Sequence, residues 1–196
     1  MKESPVKLER SEFPIIVVRA QPHRDKEALE APLPLSVECI VTFFAKHDHF
    51  ALLQLKQSDE SYAYTFELTA FATFTIDKVA AADIFGADYN PAKVAEMAAQ
   101  TLFISAKEVL QSVTSRCPHG PANVPAMLME IADINIDFEQ GKRDQVLKAV
   151  FMFNDEQLAQ LNAALDKRRN PLLPKAEEPS IKNPPKAKRP TRSKAK

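Results

Sequence analysis

Residues 90–118 read NPAKVAEMAAQTLFISAKEVLQSVTSRCP, and the reading of this stretch decides the fold. Asn90 is a good N-cap, and Pro91 suits the first helical position, where a missing N–H costs nothing. From there Val94, Ala98, Leu102, Ala106, Val109 and Val113 recur every three or four residues, with Phe103, Ile104 and Leu110 widening the apolar stripe. Pro118 disfavours helical geometry at Cys117 and stops the run, and Gly120 and Pro121 reinforce the stop. The pattern predicts a helix of about 25 residues, near 38 Å at roughly 1.5 Å per residue. Such a helix overshoots a small sheet. Its surplus, with Leu102, Phe103, Ala106, Val109, Leu110 and Val113 as the contact set, is expected to pack against a second copy.

Upstream, residues 13–77 read mostly as strand. FPIIVVRA is a short β-branched run ended by Gln21-Pro22. In LSVECIVTFFA (35–45), Leu35, Val37, Cys39, Val41 and Phe43 share one face by period-two alternation. HFALLQLKQ follows after the turn-like Lys46-His47-Asp48. In YAYTFELTAFATFTID, Phe66, Leu68, Ala70, Ala72, Phe74 and Ile76 share a face, opposite Glu67, Thr69, Phe71, Thr73 and Thr75. Short polar links between them suggest an antiparallel meander with one covered face. The link from Gln21 to Pro34 is longer and need not be a hairpin.

Downstream, residues 126–153 leave two readings open. AMLMEIADI suits a helix, yet Ile134, Ile136 and Phe138 alternate like a strand, as do Leu147, Ala149, Phe151 and Phe153. After them Asn154 and Gln157 make a capping box for the helix DEQLAQLNAALDKRR, whose Lys167, Arg168 and Arg169 suit the negative end of its dipole. The expected fold class is therefore α+β: a four-stranded antiparallel sheet packed with a long helix, plus a C-terminal helix. The expected division is a flexible N-terminus (1–12), a main domain (13–131), a C-terminal extension (132–170) and a disordered basic tail (171–196).

The 45% apolar content of the 196 residues is ample for one packed core. The 26 basic and 26 acidic residues balance overall but not locally. From Pro174 to Lys196 eight basic residues face two acidic ones, so an arm of +6 follows a body of −6. Proline-rich and charged, that arm has too little to bury to offset the entropy of ordering. No segment approaches the roughly 18–20 apolar residues of a membrane span, and MKESPVKLERSEF lacks the apolar middle of a secretory signal. Two cysteines, Cys39 and Cys117, do not make a disulfide scaffold, so a cytoplasmic location is expected.

Little in the sequence points to chemistry. Cys117 with His119 is the one local nucleophile–base pairing, and it has no glycine cluster for an oxyanion hole. His47-Asp48-His49 and Cys117/His119 are unspecific hints of metal binding, and Gly86, Gly120 and Gly141 stand too far apart for a phosphate loop. Neither a catalytic residue, a metal nor a cofactor is expected. The tail offers screened attraction to phosphate but no aromatic residues for base stacking, so no specific nucleic-acid partner is expected. Surface recognition is left. Phe71 on the polar face of its strand and Phe44 on the corresponding face of the second would line an apolar groove suited to extended polypeptide, unless a further layer covers that face.

Order and spacing of these features resemble the SecB-type export chaperones. LFISAKEVLQSVTSRCPHGPANVPAM carries the likeness through Leu102-Phe103, Lys107-Glu108, Ser115-Arg116, Pro118 and Val124-Pro125. LEAP (29–32) looks like the family's stretch after the first strand, and FELTAFATFTI looks like its fourth strand. The chain departs at Ile104-Ser105, where the family has Pro-Tyr, and at Cys117, where it has glycine. The resemblance implies subunits that assemble as dimers or tetramers through their long helices. It also implies grooves that hold unfolded polypeptide without ATP hydrolysis, for export or delivery. Partners implied are a SecA-type motor, docked near Glu30 although Lys26 replaces an acidic position there, or an antitoxin as in related members. An adaptor on the same fold, serving one specific partner, is the alternative.

Overall fold

A computed structural model describes residues 4–22, 31–86 and 89–169. Five strands, β1 (Val6–Ala20), β2 (Ser36–Phe43), β3 (His49–Gln57), β4 (Tyr64–Ile76) and β5 (Ile134–Phe138), form one sheet in the order β1-β4-β3-β2-β5. The helices are α1 (Lys78–Phe85), α2 (Pro91–Thr114), α3 (Arg143–Phe151) and α4 (Asp155–Arg169). One compact unit runs to Leu158, and a second begins at Ala159 with the remainder of α4.

β2, β3 and β4 form the expected meander, while β1 lies beside β4 at the far edge. β1 and β2, consecutive in sequence, therefore have β4 and β3 between them in the sheet. Alternation places Cys39, Val41 and Phe43 with Ala51, Leu53 and Leu55 and with Phe66, Leu68, Ala70, Ala72 and Phe74 on one buried face. α2 lies on that inner face and touches all five strands. Asn90 caps it by accepting from the Lys93 N–H at 3.1 Å, with Pro91 at its first turn. Thr114 closes it. Its hydroxyl donates to the Leu110 carbonyl and accepts the Ala122 N–H, each at 2.8 Å, so the following loop is fastened to the helix end.

Four expectations need correction. First, the sheet has five strands rather than four and is mixed, because β5 pairs parallel with β2. Ile134, Ile136 and Phe138 stand beside Cys39, Val41 and Phe43, so the strand reading of that alternation holds. Second, Leu147 and Phe151 lie in helix α3, whose buried residues are Val146, Leu147, Val150 and Phe151. That set has helical spacing, and the exposed Ala149 breaks the alternation. Third, residues 6–12 are not a free end. β1 begins at Val6 and pairs Val6 with Ile76 and Leu8 with Phe74, its charged residues suiting a sheet edge. Fourth, residues 132–158 belong to the same compact unit as 13–131. The tail, 171–196, lies outside the described residues.

The capping box at α4 is present as read: the Asn154 and Gln157 side chains each accept the other's backbone N–H, at 2.8 and 2.9 Å.

Candidate functional site

The outer face of the sheet is the surface that the fold leaves in contact with solvent. Its side chains line up in rows fixed by the register. One row runs Asn135, Ile40, Leu52, Phe71, Glu12; the next runs Asp137, Thr42, Phe50, Thr73, Arg10. On the other side come Glu38, Gln54, Thr69, Ile15, then Ser36, Lys56, Glu67, Val17. Ile40, Leu52, Phe50 and Phe71 thus form a continuous apolar strip edged by threonines and closed at both ends by charge. All four are half-buried. The Phe50 and Phe71 rings stand 5.9 Å apart, tilted, within aromatic contact.

Phe71 lies where the alternation put it. Phe44 lies one residue beyond the end of its strand and is half-buried. β2 ends at Phe43, and the Phe44 N–H turns to the His49 Nδ1 at 3.3 Å. Phe50, Ile40 and Leu52 stand beside Phe71 in the outer-face rows. The signal was present in HFALLQLKQ: Gln54 and Lys56 mark the solvent parity, and Phe50 and Leu52 share it.

At its polar end the face dips into a shallow depression of about 280 Å³ lined by Val17, Arg19, Lys56, Thr65 and Glu67, among others. The β1 edge is apolar as well: Ile15, Ile16 and Val17 are 42%, 36% and 44% exposed. Three consecutive β-branched residues this open on an edge strand make a surface fit for association.

The expected oligomer helix is spent differently. Leu102, Phe103, Ala106 and Leu110 are buried within the single chain, against its own sheet, and are not available to another copy. The helix touches all five strands, so this set is taken up by the chain's own sheet. Val109 is half-buried, while Ile104 in the middle of the helix is 48% exposed and Val113 in its last turn 40%, so two outward apolar residues remain on it. Glu30, the candidate docking residue, lies outside the described residues.

Cys117 and His119 serve as loop anchors. His119 Nε2 sits 2.6 Å from the Gln21 carbonyl, its ring stands edge-on to Tyr64, and the Tyr64 hydroxyl donates to the Gly120 carbonyl at 2.6 Å. The Cys117 Sγ reaches back toward the Val113 carbonyl at 3.8 Å. The proline-bearing loop thereby ties the end of β1 to the start of β4. Cys39 is buried among apolar neighbours, and burial pushes its thiol up to about 12, far from a reactive thiolate. Among the described residues no three of His, Cys, Asp and Glu gather as metal ligands, and no helix is long and apolar enough to cross a membrane.

No family model matches the chain, and no curated protein matches it. Solved structures do. A protein of unknown function from Streptococcus agalactiae aligns over 62% of this chain and 97% of its own, at 16% identity and a TM-score of 0.36. A SecB-like chaperone from Mycobacterium tuberculosis, solved with a peptide of the HigA1 antitoxin, aligns over 65% of this chain and 87% of its own, at 13% identity and a TM-score of 0.31. The relatives are distant. Likeness this low leaves the functional reading to the chain's own geometry.

Proposed function

We propose that this protein is an ATP-independent chaperone that binds non-native polypeptide and holds it for delivery. The observation that carries the reading is the strip Ile40–Leu52–Phe71 with Phe50, apolar and only half-buried on the outer face of an otherwise packed sheet. A flat aliphatic and aromatic strip edged by threonine and charge suits an extended chain of varied sequence better than one small molecule. Burial there is shallow, so binding is weak per contact and release is fast. No bond is made or broken in such a mechanism, and no nucleotide or metal is used.

The reading includes self-association. The open β1 edge, with Ile15, Ile16 and Val17, is the surface through which copies pair, and a light-scattering mass above one chain supports it. The direct test is suppression of aggregation of a chemically unfolded model protein without nucleotide. No suppression at stoichiometric amounts rules the reading out. Capture of one folded partner instead of many unfolded ones would favour the adaptor.

A further inference from the structure

β5 is unlike the other strands. It is the one parallel member among the described strands, only five residues long, and it pairs with the edge of β2 from Cys39–Ile134 to Phe43–Phe138. Parallel pairing is slightly less stable per residue than antiparallel. The rail it lies on is fully enclosed: Cys39, Val41 and Phe43 have no exposed surface. The occupant is less so, since Ile134 is buried but Ile136 and Phe138 are only partly covered.

Its fastenings lie at its ends. Before it, Gln100 on α2 grips the lead-in, donating to the Met127 carbonyl at 3.2 Å and accepting the Met129 N–H at 2.9 Å. After it, the Glu139 N–H donates to the Phe43 carbonyl at 2.9 Å, and the Glu139 carboxylate takes the Ala45 N–H at 3.2 Å and pairs with Lys142. Beyond that, α3 is held by the Tyr89 hydroxyl on the Val150 carbonyl and by Lys78 Nζ on the Ala149 carbonyl, at 2.8 and 2.7 Å. The strand is therefore tethered on both sides by elements that do not depend on it.

We propose that the edge of β2 is a binding site for an extended polypeptide segment with apolar residues at alternate positions, and that β5 is its resident, displaceable strand. The segment Ile134-Asn135-Ile136-Asp137-Phe138 presents to that edge the pattern an incoming chain would present, two aliphatic residues and an aromatic one at every second position. A client strand takes over the backbone hydrogen bonds of β2 and covers Cys39, Val41 and Phe43 as β5 lifts away. Because β5 stays tethered, it returns at high effective concentration and expels the client, which keeps exchange fast. The inference rests on the polypeptide-binding reading above and adds to the outer-face strip an edge at which the client displaces a competitor from the chain itself.

The test locks the strand. In a Cys117→Ser background, Thr42→Cys with Asp137→Cys places a pair across the register of β2 and β5. The probe is fluorescently labelled, reduced and carboxymethylated α-lactalbumin, read by anisotropy. The oxidised pair is expected to bind about tenfold more weakly than the same protein after dithiothreitol, because the competent state is removed. Equal binding in both forms overturns the proposal. Ile136→Ala, checked for native circular dichroism, is expected to loosen the strand and tighten binding roughly fivefold; unchanged or weaker binding overturns it independently. Failure of the wild-type chain to bind the probe sinks the polypeptide-binding reading and this inference together. Binding by the wild type with no effect of lock or loosening sinks this inference alone.

Discussion

The two faces of the sheet are built from alternate residues of the same strands, and they meet opposite fates. Phe74 and Phe71 sit three residues apart on β4. Phe74 has no exposed surface and touches Phe43 edge-on at 6.1 Å, while Phe71 shares its side with Phe50 in contact with water. On the inner face small residues let the cover come close: Ala51, Ala70 and Ala72 on the strands and Ala95, Ala98, Ala99 and Ala106 on α2 are all fully buried. The outer face mixes Phe, Leu and Ile with Thr, Gln and Glu, a set that tolerates water and offers apolar contact at once. Hydrophobicity alone does not separate the two roles; parity along the strand does.

The largest effect expected from this contrast is on stability. Phe103→Ala, in the interior beneath the sheet, should cost about 3–5 kcal/mol through lost burial and the cavity left behind. Phe71→Ala should cost under about 1 kcal/mol and instead weaken binding of unfolded polypeptide. Denaturant melts of both variants, with an aggregation-suppression assay on Phe71→Ala, check the pair. Should Phe71→Ala destabilise the fold as much as Phe103→Ala, the outer face is covered in solution and the contrast between faces collapses.

A second, smaller effect comes from the polar group that the inner face admits. His49 is 6% exposed, lies 5.3 Å from both the Phe43 and Phe74 rings, and accepts the Phe44 N–H. Burial pushes its pKa down to about 4 from 6.5; nearby Lys78 pushes the same way and Asp48 opposes. The folded state therefore binds the proton less readily than the unfolded chain. The resulting contribution is fully present above about pH 6.5 and is lost as pH falls toward about 4, at most roughly 3 kcal/mol over that window. His49→Gln should flatten that part of the stability–pH profile, and the difference between the two profiles isolates the histidine from the carboxylates. A parallel pair of profiles would mean that His49 is solvated and that the inner face is less dry than its apolar residues suggest.

Much of this architecture was legible from residues alone. The start of α2 at Asn90-Pro91, the inner parity of β2 and β4, and the Asn154/Gln157 cap are local signals, each set by a few neighbouring residues. What escaped depended on partners distant in sequence. β5 is a strand because β2 offers an edge about ninety residues upstream, and five residues of alternation do not state that. The stripe on α2 was plain, but that much of it packs on the chain's own sheet depends on strands distant in sequence. Phe44 falls just past the end of its strand, where its N–H meets His49 and alternation no longer fixes a face. The site followed the same rule: Phe71 was readable from its own strand, whereas its neighbours Ile40, Phe50 and Leu52 emerge only from the register of three strands.

The smallest structural effect carries the sharpest functional consequence. Gln54 stands on the outer face between Glu38 and Thr69, one row from the strip of Ile40, Leu52 and Phe71, and is exposed. Gln54→Leu widens the strip by one row without touching the inner face, so stability should stay within about 0.5 kcal/mol of wild type. Affinity for a labelled unfolded chain should rise, because more apolar area leaves water on binding, at roughly 25 cal/mol per Å² before ordering costs. Gln54→Lys at the same position should lower it. If both variants bind as the wild type does, contact with clients lies elsewhere, and the β2 edge or the β1 edge becomes the surface to map. If Leu strengthens and Lys weakens binding at constant stability, the outer face is separated from the fold it decorates, as the parity of its strands implies.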